Sequence, residues 1–254
     1  MEILMIGSIL LCALVGTLVG IKLLTIASRT HKLPELAIGV ALFAYAALSQ
    51  PTFLVQQALG EDVSLGLRMG IAVLRIFAFY VTLLALSLFT WQVFGAQSRW
   101  RLALAAGIAV TALVACGVSI WGIWLQFSAG LPQSMYRRIG VTPYYVLAFG
   151  WVSLESLRYY ALMRKRRALG LADPVVTNRF LVWGAGEAAS TLVILALFVA
   201  TMTQPEISAA DPLVSWCVTL AGLVNALVWW LTFTPPRIYL RWVRGGAAEG
   251  ASHG

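Results

Sequence analysis

The chain has 254 residues, of which 60% are hydrophobic and only 11% charged, where an ordinary soluble domain carries about 25% charged residues. That is too little polar side chain to cover a water-soluble globule, and apolar runs of about 20 residues place the chain among integral membrane proteins. The net charge of +8 therefore speaks first of orientation in a bilayer and of anionic headgroups, and a nucleic-acid binder is excluded for want of a soluble module with aromatic platforms.

Seven segments are long and apolar enough to span about 30 Å of hydrocarbon, which predicts an all-α, single-domain, seven-transmembrane-helix bundle over residues 1–244. The first, Ile3 to Ala27, opens on MEILMIGSILLCALVG. It lacks the basic n-region of a secretory signal and is expected to be retained. Its Gly16 and Gly20 form a G-x-x-x-G spacing that permits close helix approach, within the protein or between copies.

The second segment, Pro34 to Leu59, is interrupted by Gln50-Pro51, where proline removes a backbone hydrogen bond and bends the axis. The third runs from Leu67 to Phe94 and carries Arg75; the fourth runs from Trp100 to Phe127. The fifth, Pro143 to Met163, contains Glu155; the sixth, Pro174 to Met202, contains Glu187; and the seventh, Pro212 to Phe233, contains Asn225. Thr142-Pro143, Asp173-Pro174 and Asp211-Pro212 each place a capping side chain before a proline whose missing N–H costs nothing in a first turn. After the seventh helix, PPRIYLRWVRGG interleaves arginines with Tyr239 and Trp242 as an interfacial segment over 235–244, and a disordered tail is expected over 245–254.

Orientation follows from the basic residues beside the helix ends. Arg29, Lys32, Arg99, Arg101, Arg164, Lys165, Arg166, Arg167, Arg179, Arg237, Arg241 and Arg244 fall on one side, and only Arg68, Arg137 and Arg138 on the other. This predicts an external N-terminus and a cytoplasmic C-terminus. The densest cluster, Arg164, Lys165, Arg166 and Arg167 with Arg179, becomes a cytoplasmic basic loop that suits anionic lipid or an acidic partner.

Polar side chains inside a bilayer are costly and mark the interior, so Gln50, Arg75, Glu155, Glu187 and Asn225 are the candidate site residues. Counting helical rise suggests one cluster of Arg75, Glu187 and Gln50, and a second of Glu155 and Asn225 with Tyr159 below and Arg158 at the interface. Either could fix packing, hold a ligand or an ion, or relay a proton. Trp91, Trp100, Trp121, Trp124, Trp229, Trp230 and Trp242 read as an interfacial belt, whereas Trp151, Trp183 and Trp216 read as deeper.

Catalytic sets are missing from the sequence. His31 and His253 lie outside the deep helical positions, the three cysteines show neither metal nor disulfide spacing, and no catalytic residue, metal or cofactor is expected. A retinal pigment needs a lysine in its last helix, but Lys22, Lys32 and Lys165 are the only lysines. The threading thus matches microbial rhodopsins and seven-helix receptors in topology alone.

The segments RTHKLPELAIG, GLADPVVTNRFLVWG and TPPRIYLRW resemble those of a group of uncharacterised bacterial seven-helix integral membrane proteins. The resemblance implies a multi-pass protein of the bacterial inner membrane and brings no assigned activity. A non-enzymatic sensor or accessory protein with a small polar intramembrane pocket is the leading expectation. A small transporter or channel using Glu155 or Glu187 is its rival, and a structural subunit of a membrane complex the third reading. Expected partners are the bilayer itself, anionic lipids at the cytoplasmic face, and a protein partner or a second copy in a homodimer.

Overall fold

The computed structural model describes the backbone of residues 2–60, 62–95, 97–129, 134–203 and 211–251, with side chains for 3–60, 62–95, 97–128, 142–200, 203 and 211–244. Among the described residues all regular structure is helical: α1 (Glu2–Thr30), α2 (Leu33–Phe43), a π-helical segment (Ala44–Ser49), α3 (Gln50–Ala58), α4 (Leu65–Gly95), α5 (Arg99–Ala129), α6 (Ser134–Ala168), α7 (Pro174–Thr203), α8 (Pro212–Phe233) and α9 (Arg237–Ala251). Even α8, the shortest of the full spans at 22 residues, reaches about 33 Å at 1.5 Å per residue, enough to cross a bilayer.

Six helices meet both the length and the apolarity of a membrane span: α1, the α2 to α3 unit, α4, α5, α7 and α8. They make this a multi-pass membrane protein. Helix α6 is as long as any of them but is diluted by Tyr144, Tyr145, Trp151, Glu155, Arg158, Tyr159 and Tyr160. Its place in the fold accounts for that composition. Helices α1, α2, α4, α6, α7 and α8 close a ring in that order, and α5 leans on α4 and α6 from outside. A helix in the ring can afford polar side chains on its inner face, whereas α5 presents Val110, Leu113, Val114 and Val118 outward.

Polarity is distributed as a bilayer requires. Leu10, Leu14, Leu18, Leu154, Leu192, Leu220 and Leu227 are exposed, while Ser87, Thr90, Ser153, Ser156, Ser190 and Thr219 are buried. Some of these hydroxyls return their bonds to the helices, as where Thr90 Oγ1 donates to Leu86 O at 2.8 Å and Ser153 Oγ donates across to Gly184 O at 2.8 Å.

The caps expected at Asp173 and Asp211 are present. The N–H groups of Val175 and Leu213 donate to Asp173 Oδ1 and Asp211 Oδ1 at 2.6 and 2.8 Å. The start expected at Thr142-Pro143 is not. Helix α6 begins at Ser134 and carries Pro143 internally, since one lost hydrogen bond does not end a helix held by its neighbours. At the other end of the chain, α9 continues to Ala251, into the segment expected to be a disordered tail; residues 252–254 lie outside the described residues.

The small-residue spacing on α1 is used inside the fold. A methyl placed on Gly16 would fall 2.6 Å from Ala46 Cβ and 2.7 Å from the Trp229 ring, and one on Gly20 would fall 2.9 Å from Phe43 N. Both glycines let α1 press against α2 and the π-helical segment, so this face is not free for a second copy.

Candidate functional site

Pro51 sets the site in motion. It has no N–H to give, and the helix before it widens to i→i+5 bonding, with the Gln50 N–H reaching Tyr45 O. The Thr52 hydroxyl lies 2.6 Å from Leu48 O and 3.0 Å from Ser49 O, covering carbonyls that the irregular turn leaves short of donors. The expected bend is thus a π-helical turn inside a continuous span, and it brings Tyr45 and Gln50 to the wall of a cavity.

That cavity, about 140 Å³, lies inside the helix ring. Helix α7 contributes Ser190, Val193, Ile194 and Leu197, and α8 contributes Val218, Ala221, Gly222 and Asn225. Both sets follow i, i+3, i+4, i+7, one continuous face of each helix. Ile9 and Cys12 of α1 and Tyr145 of α6 complete the wall. Most of the lining is apolar, with the polar groups concentrated where Ser190 Oγ donates to Asn225 Oδ1 at 3.0 Å and Gln50 lies beside the Tyr45 hydroxyl.

Glu187 precedes Ser190 by one turn on the same face of α7, close to the middle of that helix. Its side chain has no solvent exposure, and neither carboxylate oxygen has a hydrogen-bond partner. Trp229 turns its indole toward the carboxylate without closing a hydrogen bond. Cys12, Tyr45 and Tyr145, all on the cavity wall, lie within electrostatic range of it. A buried carboxylate left unpaired costs several kcal/mol as a bare anion. It must therefore hold a proton or a cation.

The pair expected between Arg75 and Glu187 is not formed. Arg75 Nη1 donates to Gln56 Oε1 at 2.8 Å, and its guanidinium packs 4.5 Å from the centre of the Phe53 ring, toward the end of α3. Helical rise placed the two residues at compatible depths but could not show which way each face turns. Asn225 also changes company, joining Ser190 and Gln50 rather than Glu155.

Glu155 instead meets Arg101, a residue read from the sequence only as a mark of orientation. Arg101 Nη2 lies 3.0 Å from Glu155 Oε2, and Nη1 donates to Phe94 O. The arginine stem packs against Gly95, where a methyl would fall 2.6 Å from its Cδ, so the turn between α4 and α5 is shaped to send the guanidinium inward. Aromatic rings close this end of the ring of helices: Phe94, Tyr159 and Phe180 meet at 4.8 to 5.9 Å, and Trp183 meets Phe233 at 5.2 Å.

The basic cluster caps the same end. Arg164, Lys165 and Arg166 are exposed on the last turns of α6, Arg167 is half-buried, and Gly170, at φ +70°, turns the chain in the left-handed region where glycine is at ease. Arg179 sits on α7 with its Nε buried and without a partner. Asn178 Nδ2 donates to the Tyr239 hydroxyl, docking α9 onto α7.

Sequence reasoning missed Cys12, Tyr45, Tyr145, Ser190 and Trp229 as site residues. The i, i+3, i+4, i+7 stripes ending in Ser190 and Asn225 were the available signal. Trp229, expected in the interfacial belt, is only 2% exposed and packs edge-on to Tyr45, whereas Trp216, expected deeper, faces outward. No family model, curated protein or solved structure matches the chain.

Proposed function

We propose that this is a non-enzymatic protein of the bacterial inner membrane that binds a small ligand in its intramembrane cavity, as a sensor or as an accessory subunit. In this reading α6 also crosses the bilayer, as the fifth of seven spans, so that the N-terminus is external and the basic end of the bundle cytoplasmic. The asymmetry of arginine and lysine and the antiparallel succession of helices support it. The observation that carries the ligand reading is Glu187, fully buried and unpartnered one turn from the Ser190 and Asn225 end of a cavity. A residue kept only for packing would be better replaced by leucine or methionine.

Native mass spectrometry of protein extracted gently from its own membrane tests the proposal. A bound small molecule that disappears in both Glu187→Gln and Ala221→Leu supports it. An empty protein whose partners and stability ignore both substitutions removes it.

One observation favours a transporter as the second reading. The cavity lies along the later half of α7 and the middle of α8, while the opposite end of the bundle is closed by aromatic rings and the Arg101 to Glu155 ion pair. A site shut toward one side is what alternating access requires in one of its states. Solute flux in proteoliposomes that stops with Glu187→Gln would decide for transport; binding without flux would decide for sensing.

A further inference from the structure

The cavity also restricts the chemistry of its occupant, and this step rests on the ligand reading just proposed. Three constraints act together. The first is charge: neither Glu187 oxygen has a hydrogen-bond partner, so once the carboxyl gives up its proton only a cation beside it compensates the charge. The second is coordination. An inorganic cation wants about six or more oxygen ligands, but most of the wall is aliphatic or aromatic. The third is size, since about 140 Å³ is close to the ~150 Å³ of an apolar cavity that accepts benzene, which admits about six heavy atoms.

We infer that the cavity takes a small organic ammonium ion, its head toward Glu187, Gln50 and Asn225 and its hydrocarbon body against Val193, Ile194 and Val218. The ammonium donates to Gln50 and Asn225 oxygens, which accept, and neutralises the carboxylate beneath them. Tyr45 and Tyr145 stand in the wall at this end, and the Trp229 indole lies beside Glu187. The body then fills the stripe of aliphatic side chains that runs up α7 and α8. A carboxylate one turn beyond Ser190, carboxamide acceptors in the wall and an aliphatic stripe match the two ends of such a molecule.

The test uses the full chain in lipid nanodiscs at neutral pH, with butylammonium as the probe, butanol and butyrate as its neutral and anionic isosteres, and sodium chloride at matched ionic strength. Melting temperature and calorimetric titration are read on the native protein, Glu187→Gln and Ala221→Leu. Butylammonium is expected to bind saturably and raise the melting temperature, while butanol, butyrate and sodium do not. Glu187→Gln preserves shape and is expected to weaken butylammonium at least tenfold; Ala221→Leu, which fills the cavity from the opposite wall, is expected to weaken it independently.

Equal binding of butanol, or Glu187-dependent stabilisation by sodium alone, overturns the ammonium class while leaving the pocket in place. Absence of saturable butylammonium binding overturns it as well. In that case a non-amine molecule retained in native mass spectrometry and lost in Glu187→Gln would show that the pocket reading survives, and an empty protein would remove both.

Discussion

Among the described residues two glutamates are buried inside the bundle, and they are treated in opposite ways. Glu155 is 5% exposed and held by Arg101 at 3.0 Å, with the arginine itself anchored to Phe94 O and wedged against Gly95. Glu187 is buried still more completely and has no such partner. The difference separates a charge that closes a structure from one that waits for something. At the Glu155 end the rings of Phe94, Tyr159 and Phe180 pack on one another, whereas the turn beside Glu187 leads to a cavity with hydroxyl and carboxamide groups in its wall.

The largest effect should come from breaking the paired site. Arg101→Ala strands Glu155 in the interior and is expected to destabilise the protein by about 3–5 kcal/mol, measured by denaturant titration in mixed micelles. The double change Arg101→Leu with Glu155→Leu should recover most of that loss, because it removes both charges together. If the double variant is no better than the single one, the ion pair is not what closes this end.

Next comes the packing that shapes the cavity. Gly20→Leu must push α2 away from α1 and is expected to cost about 1–3 kcal/mol, with no change in oligomeric state by light scattering. A clean shift from dimer to monomer would instead show that Gly20 faces a second copy. The smallest effect belongs to the cavity's own hydrogen bond: Ser190→Ala should cost about 1 kcal/mol in the same titration, yet alter ligand binding more than Arg101→Ala does.

Much of the fold was legible because a bilayer makes a strong demand on sequence. The six spans announce themselves by length and apolarity, and Asp173 and Asp211 mark the starts of two of them. The misreadings share one cause. Depth follows from counting residues, but the direction of a side chain depends on how each helix is rotated in the bundle. Arg75 and Glu187 are compatible in depth and turn to different neighbours, and Asn225 belongs with Ser190 rather than Glu155 for the same reason. Arg101 stayed hidden because a basic residue at a helix end fits the orientation rule so well that nothing suggests it also reaches inward. The π-helical turn before Pro51 was legible only as a bend, since the choice of i→i+5 bonding depends on neighbours that the local sequence does not contain.

The measurement that goes most directly to the contrast is the stability of Glu155→Leu and Glu187→Leu, taken side by side in the same nanodiscs without added ligand. Glu155→Leu should unfold at lower temperature than the native protein, because it leaves Arg101 unpaired. Glu187→Leu should unfold at the same temperature or higher, since it removes a buried group that nothing in the resting protein satisfies. Equal destabilisation by both substitutions would contradict this, and would make Glu187 a packing residue like Glu155.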